Sequence, residues 1–274
     1  MDESPPAAEE LLKIAVEVVR AAAATARALR IDGVSGVTTK SSDTDVVTAA
    51  DRAVERQVVS ALSELRPCDV VLGEEYGPAG AANTPGPAGV RWILDPIDGT
   101  VNYLYGLPNY AVSLAAEVGG HVVAGVVRNA ATGEEWTASA GGGAYHQGQR
   151  LTGSAETDLS QALIATGFGY DPHRRAHQAG VLTGLISEVR DIRRFGSAAL
   201  DLCLAASGAV DAYYEKGLNL WDHAAGGLVA TEAGLRVAGL AGRTPSADLV
   251  IAAPPALFDR LHDLLYALDA AGGP

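Results

Sequence analysis

The run Trp92-Ile93-Leu94-Asp95-Pro96-Ile97-Asp98-Gly99-Thr100-Val101-Asn102 constrains the fold more than any other stretch of the chain. An apolar segment that reads as a buried strand ends abruptly in two carboxylates, a glycine and a hydroxyl. Pro96 cannot continue a sheet ladder and Gly99 releases the turn, so the pattern predicts that Asp95 and Asp98 emerge together at the strand's carboxyl end. Ligands commonly sit at such edges in α/β folds. Two carboxylates and a hydroxyl there suit metal-assisted phosphate chemistry. For an isolated Asp-Gly-Thr, a simple cap of the following helix by Asp98 is the plainer alternative.

The rest of the sequence bounds what can be built around that edge. At 274 residues and 48% hydrophobic content, the chain can hold one large α/β domain or two halves sharing a cleft. A formal net charge of -13 argues against a broad basic surface for bulk nucleic-acid binding, so an anionic substrate must be held locally. Cys68 and Cys203 lie far apart with no Cys-x-x-Cys partner, which fits a reducing, cytoplasmic setting, and both are expected to be buried. The opening Met1-Asp2-Glu3-Ser4-Pro5-Pro6 lacks the basic start and apolar core of an export signal. Charged residues interrupt the apolar stretch from Leu11 to Leu29, so no segment reads as membrane-spanning.

Periodicity places helices first. Leu12, Ala15, Val19 and Ala22 share one helical face, and Ala50, Val54, Val58, Ala61 and Leu65 share another, with Asp51 near its start. Val70-Val71-Leu72 reads as a strand ending in Gly73-Glu74-Glu75, followed by a Pro/Gly/Ala-rich loop from Pro78 to Gly89. Val112 to Ala116 and Val122 to Val127 form a hairpin across Gly119-Gly120, with Trp136-Thr137-Ala138 extending the sheet. From about Leu159 strands and helices alternate: Leu163–Ala165, then Arg174–Val189, Arg190–Arg194 and Ser197–Ser207. Asp211–Glu215 and Leu249–Ala252 read as further strands, Trp221–Ala233 and Leu257–Leu268 as further helices. The expected organisation is therefore an N-terminal half, 1–152, and a C-terminal half, 153–274.

Asp51, Glu74, Asp95, Asp98 and Asp222 all stand at element ends and can converge on one cleft. Unpaired carboxylates brought together repel and raise one another's pKa values, so a fold that gathers them needs cations. Without His or Cys at these positions, all-oxygen coordination favours Mg²⁺ or Mn²⁺ over zinc. Two such ions roughly 3.5–4 Å apart can activate water and neutralise a phosphoryl group. Gly99-Thr100 and Gly196-Ser197-Ala198 each sit where a helix begins, where free amides suit phosphate or sugar oxygens.

Lys40-Ser41-Ser42 with Asp51 following, Gly73-Glu74-Glu75, Asp95 through Asn102, and Trp221-Asp222-His223-Ala224-Ala225-Gly226 together resemble the inositol monophosphatase family over almost the whole chain. The resemblance implies an αβαβα layered sandwich, usually dimeric, with lithium-sensitive phosphomonoesterase activity. It implies one Mg²⁺ on Glu74, Asp95 and the Ile97 carbonyl, a second on Asp95, Asp98 and Asp222, and a weaker third near Glu74, with Glu74 counted among the catalytic residues as well as the ligands. Thr100 and Asp51 would orient the attacking water. Substrate contacts would come from Asp98, Gly99, Thr100, Gly196, Ser197, Ala198, Glu215 and Asp222. The implied substrate is a small phosphomonoester, myo-inositol 1-phosphate or a related polyol phosphate. Fructose-1,6-bisphosphatase, histidinol-phosphatase, 3′-phosphonucleotidase and an association role remain as alternatives. Val101 and Tyr103 depart from the family's common threonine and phenylalanine without removing a ligand.

Other polar residues have plainer readings. Lys40 is expected to order the metal loop, whereas Glu75 on extended backbone should point away from Glu74. His173 and His177 are spaced as zinc ligands are, but Arg174 stands where a zinc-protease motif needs glutamate, so they read as helix surface. His223 reads as packing or capping. Of Arg190, Arg193 and Arg194, one can reach a cleft while the others form a solvated edge. Tyr103, Tyr105 and Tyr110 suit either a pocket mouth or core packing.

Overall fold

The computed structural model describes residues 7–40, 46–79 and 89–274. Ser41, Ser42, the acidic residues 1–6 and most of the Pro78–Gly89 loop lie outside the described residues. In chain order the elements are α1 (Ala8–Ile31), β1 (Thr38–Thr39), β2 (Val46–Val47), α2 (Ala49–Leu65), β3 (Val70–Gly73), β4 (Gly77–Ala79), β5 (Val90–Asp98) and α3 (Thr100–Tyr105). A meander follows: β6 (Ala111–Val118), β7 (His121–Asn129), β8 (Glu135–Ser139), β9 (Gly143–His146) and β10 (Gln149–Arg150). The C-terminal half contains β11 (Leu163–Thr166), α4 (Pro172–Leu185), β12 (Asp191–Arg193), α5 (Ala198–Ala206), β13 (Ala212–Glu215), α6 (Leu220–Glu232), β14 (Arg236–Ala238), β15 (Val250–Ala253) and α7 (Pro255–Ala267).

Two sheets organise these elements. Eight strands run in the order β10-β9-β8-β7-β6-β5-β3-β4, and five in the order β12-β11-β13-β15-β14. Helices α1 and α2 cover one face of the large sheet, α5 and α6 fill the space between the sheets, and α7 packs on the small sheet with α4 beside it. The result is the expected αβαβα sandwich. Three apolar clusters correspond to its three helix layers, built around Trp92 and Tyr103, around Tyr213 and Trp136, and around Phe258. Among the described residues no helix is long and apolar enough to cross a membrane.

The helices follow their apolar stripes. In α1, Leu11, Ala15, Val18, Val19, Ala22, Ala23 and Ala26 are buried while Lys13, Glu17 and Arg20 face outward. In α2 the buried stripe is Ala50, Val54, Val58 and Leu62. Leu65, expected on that stripe, is instead 51% exposed, and Leu62 takes the core position. The Gly119-Gly120 hairpin is as expected. Both glycines have positive φ, 58° and 83°, as a two-residue turn matching the sheet twist requires. Cys203 is buried but Cys68 is exposed, since it falls in the turn between α2 and β3 rather than on either element.

One irregularity positions the site. Strand β5 does not stop at Asp95; it pairs antiparallel with β6 to Asp98, with three residue steps from Asp95 to Asp98 set against two from Ser113 to Ala111. Three positions apart on a regular strand, the two aspartates would face opposite sides of the sheet. The extra residue, accommodated at the segment containing Pro96, reverses that alternation, as β-bulges do. Both carboxylates therefore line the same cleft.

Candidate active site

A cleft of about 640 Å³ is lined by residues between Lys40 and Thr100 and between Gly167 and Asp222. Its acidic wall carries Glu74 from the turn after β3, Asp95 and Asp98 from β5, and Asp222 from the first turn of α6. Gly99 and Thr100 continue that wall, and Gly196, Ser197, Ala198 and Glu215 line the C-terminal side. The expected site residues are thus brought together, with one qualification of position. Asp51 is fully buried and stands behind Thr100, whose Oγ1 lies 3.2 Å from Asp51 Oδ1 and 3.0 Å from the Ile97 carbonyl.

Local structure fixes each carboxylate. Thr48 caps α2, and Asp51 Oδ2 accepts from the Thr48 amide at 2.8 Å and its hydroxyl at 2.6 Å, which leaves Oδ1 directed at Thr100. Asp95 Oδ1 accepts from the Ile97 amide at 3.1 Å. Asp222 folds back on the start of its own helix, where Oδ2 accepts from the Asn219 amide at 2.6 Å.

Asp98 behaves differently from the plainer expectation. Helix α3 has Gly99 at its N-cap with no side-chain hydrogen bond. Asp98 Oδ2 instead accepts from Ser197 Oγ at 2.6 Å and the Ala199 amide at 2.7 Å, so it caps α5. A carboxylate of the protein thereby takes part of the helix N-terminus expected to meet substrate. Asn102 ties the halves together as well, its Nδ2 donating to Asn109 O at 2.8 Å and Phe195 O at 2.7 Å. Gly99 sits in this seam with φ 90°; an added Cβ would lie 2.9 Å from Asn109 O and 3.0 Å from Gly196 O.

Electrostatics test whether these residues fit a cation. Desolvation pushes Asp95 and Asp222 well up from the usual carboxylate range, and each is raised further by its acidic neighbours: Glu74, Asp98 and Asp222 around Asp95, and Asp98, Glu74 and Glu215 around Asp222. Desolvation also raises Glu74, against the pull of Lys40. Asp98 is pushed up to about 6 by burial, while Ser197 and the Ala199 amide favour its charged form. Among the described residues no three His, Cys, Asp or Glu side chains form a ready-made ion cage. The fit therefore rests on four mutually repelling carboxylates on one wall, Asp95 and Asp98 buried and Glu74 and Asp222 half-buried, an all-oxygen donor set that hard divalent ions suit.

The opposite wall carries the carboxylate of Glu215. Glu215 Oε2 accepts from the Tyr213 hydroxyl at 2.7 Å, and burial pushes Glu215 up to about 7. Behind it Asp201 is fully buried, and neither of its carboxyl oxygens has a hydrogen-bond partner among the described residues; desolvation, then Glu215 and Asp98, hold it well above the usual range. Of the three arginines singled out in sequence, Arg194 lines the cleft, while Arg190 bonds Gln161 and Arg193 bonds Asp191 at the surface.

The family-model match identifies the scaffold: it covers residues 6–269 and is described as the inositol monophosphatase family. The chain belongs to that family. It is 48% identical over 248 residues to the inositol-1-monophosphatase SuhB of Mycobacterium tuberculosis, covering 88% of this chain and 84% of that one. It is 38% identical over 221 residues to a protein named Nus factor SuhB from Pasteurella multocida, covering 79% and 81%. The solved structure of Mycobacterium tuberculosis SuhB superposes with a TM-score of 0.81 at 40% identity, covering 98% of this chain and 100% of that chain. The family is one of phosphatases, and the carboxylate wall lies on its fold.

One sequence expectation needs correction, and two others are made specific. Glu74, Glu75 and Tyr76 form a turn, not extended backbone, so Glu75 does not point away. Its side chain is 4% exposed, and the Lys40 ammonium donates to both Glu75 at 2.5 Å and Glu74 at 2.9 Å. Tyr103 and Tyr110 are core residues packed edge to face at 5.0 Å, and of these three tyrosines Tyr105 alone is exposed. The Tyr103 hydroxyl donates to Ala26 O at 3.2 Å. His177 contacts the Asp269 carbonyl and His173 is exposed. His223 is buried and held neutral, pushed down to about 4 by desolvation. Sequence reasoning missed Glu55, a charged residue on the buried stripe of α2; its spacing of four from Asp51 was the available signal.

Proposed function

We propose that this chain is a Mg²⁺-dependent phosphomonoesterase that hydrolyses myo-inositol 1-phosphate and related polyol phosphates to the alcohol and inorganic phosphate. The observation that carries the reading is the placement of Glu74, Asp95, Asp98 and Asp222, drawn from both halves, on one wall of a cleft whose other wall holds Glu215. Two or three divalent ions, Mg²⁺ or Mn²⁺, held by these carboxylates and the Ile97 carbonyl, would neutralise phosphoryl charge and make water more acidic. The Thr100 hydroxyl, with its proton directed to Asp51 Oδ1, presents a lone pair that accepts from the attacking water and holds it in line. Asp51 is raised by desolvation and by Glu74 but anchored by two bonds from Thr48, so it acts as a local acceptor rather than a mobile base. Across the cleft, Tyr213 fixes one oxygen of Glu215, leaving the other for polyol hydroxyls.

Lithium inhibition, a homodimer and a cytoplasmic setting belong to the same proposal. The two free cysteines are consistent with the last of these. Phosphate release from a panel of inositol 1-phosphate, fructose 1,6-bisphosphate, histidinol phosphate and 3′-phosphonucleotide tests it, with and without Mg²⁺. The reading requires Mg²⁺-dependent turnover with the highest kcat/KM on the polyol monophosphate; no release from any of the four would refute it. The Pasteurella relative's name motivates a second reading as an association partner of transcription machinery. The complete acidic wall favours catalysis.

A further inference from the structure

Helix α2 carries a second buried carboxylate one turn beyond Asp51. Glu55 is fully buried, yet among the described residues no lysine or arginine bonds it. Instead Oε2 accepts from the Glu75 amide at 2.8 Å and Oε1 from the Tyr76 amide at 3.0 Å. The same carboxylate lies flat against the residue before Glu74. A Cβ on Gly73 would stand 2.0 Å from Glu55 Oε1 and 2.8 Å from Oε2. Glu74 is therefore bracketed, with the Cα of Gly73 packed on the carboxylate on one side and the Glu75 and Tyr76 amides bonded to it on the other.

The choice of side chain is informative. A turn after a strand can be held by neutral Asn or Ser without bringing another charge near Glu74 and Glu75. Here an acid is used despite burial, and both of its oxygens are committed to backbone donors, giving two charge-assisted bonds. Such bonds fix a backbone more tightly than neutral ones. The helix that directs Asp51 at Thr100 thus also sets where the Glu74 side chain leaves the main chain.

We propose that Glu55 is a positioning residue: with Gly73 as its matched partner, it orients the Glu74 turn so that Glu74 can ligate a divalent ion. The proposal rests on the metal reading given above, and it adds a residue outside the cleft lining to that site. Its chemical consequence is in cation affinity rather than in the reacting atoms. Partners that orient a ligand without touching the ion typically affect metal affinity by about ten- to a hundredfold.

Mn²⁺ binding to the full chain, followed by loss of the free-ion EPR signal, measures this directly. Glu55→Gln keeps volume but offers one amide hydrogen bond donor where two acceptors are needed. Its Mn²⁺ dissociation constant is expected to rise about tenfold or more, while kcat at saturating metal and KM for the phosphomonoester stay within a few-fold of the parent. Gly73→Ala displaces the carboxylate by its Cβ and is expected to reproduce the loss with Glu55 still charged. The double variant should be no worse than the poorer single one, because both act through one contact. Unchanged Mn²⁺ affinity in either folded variant, or fully additive losses, would overturn the proposal. Absence of Mn²⁺ binding by the parent chain would instead overturn the metal reading, so the two failures are distinguishable.

Discussion

Asp98→Asn is expected to stabilise the protein when divalent ions are chelated and to remove its stabilisation by Mg²⁺. Burial holds the Asp98 carboxyl at about 6, even though Ser197 and the Ala199 amide favour the charged form. An acid whose pKa is higher in the folded chain than in the unfolded one opposes folding once it is ionised. For Asp98 that opposition is complete above pH 6, fades as pH falls from 6 towards 4, and is absent below the unfolded value near 3.8. At pH 7 it amounts to about 3 kcal/mol. Asparagine abolishes the charge but keeps an oxygen for the Ser197 hydroxyl and the Ala199 amide. Replacing charge-assisted bonds with neutral ones costs about 1 kcal/mol. The balance favours the variant by about 2 kcal/mol, a rise in Tm of roughly 4–8 °C for a chain of this size. Mg²⁺ at a hundred times its dissociation constant would add about 2.7 kcal/mol to the parent, and little to a variant lacking a ligand. Calorimetry at pH 7 and pH 4.5, with chelator or with Mg²⁺, checks all four corners. A chelated variant melting below the parent at pH 7, or equal Mg²⁺ shifts in both, would refute the assignment of Asp98 as a buried, cation-dependent carboxylate.

The sequence exposed those parts of the fold that depend on neighbouring residues. Apolar periodicity located α1 and α2, and Gly119-Gly120 located the turn between β6 and β7, because the residues that decide them lie within a few positions of one another. The acidic residues were legible for the same reason. Each stands at an element end, where side chains leave the regular packing and can share a cleft. Partners far along the chain were not legible. Asp98 reads locally as the cap of α3, yet its hydrogen bonds go to Ser197 and Ala199, about a hundred positions away, and no local pattern encodes that choice. The parity change between Asp95 and Asp98 likewise requires knowledge of β6, the strand against which the extra residue is counted. Glu75 failed for a smaller reason: Gly73 was read as ending a strand, but the backbone then turns, and extended alternation ceases to apply. Cys68 shows the limit of a compositional habit, since a free cysteine is usually buried but a turn offers no core to enter.

Two further outcomes follow from positions in the seam and on the wall that carries Glu215. Gly99→Ala must place a Cβ at φ 90° and 2.9–3.0 Å from two backbone carbonyls, so it should lose about 1–3 kcal/mol from backbone strain alone. Thermal unfolding checks this, and an unchanged Tm would mean that the seam opens without cost. Glu215 offers a pH-dependent test, because burial pushes its carboxyl up to about 7, against the opposing influence of Tyr213 and Arg194. As pH rises from 6 to 8 the group ionises and becomes a better acceptor for polyol hydroxyls, so kcat/KM should climb in the parent and be flatter in Glu215→Gln. The same ionisation opposes folding, since the folded pKa exceeds the unfolded one. The variant should therefore melt above the parent at pH 8 and lose that advantage below pH 4.5. Equal pH slopes for kcat/KM in the two proteins would show that substrate hydroxyls do not engage Glu215, whatever the melting curves reveal about its burial.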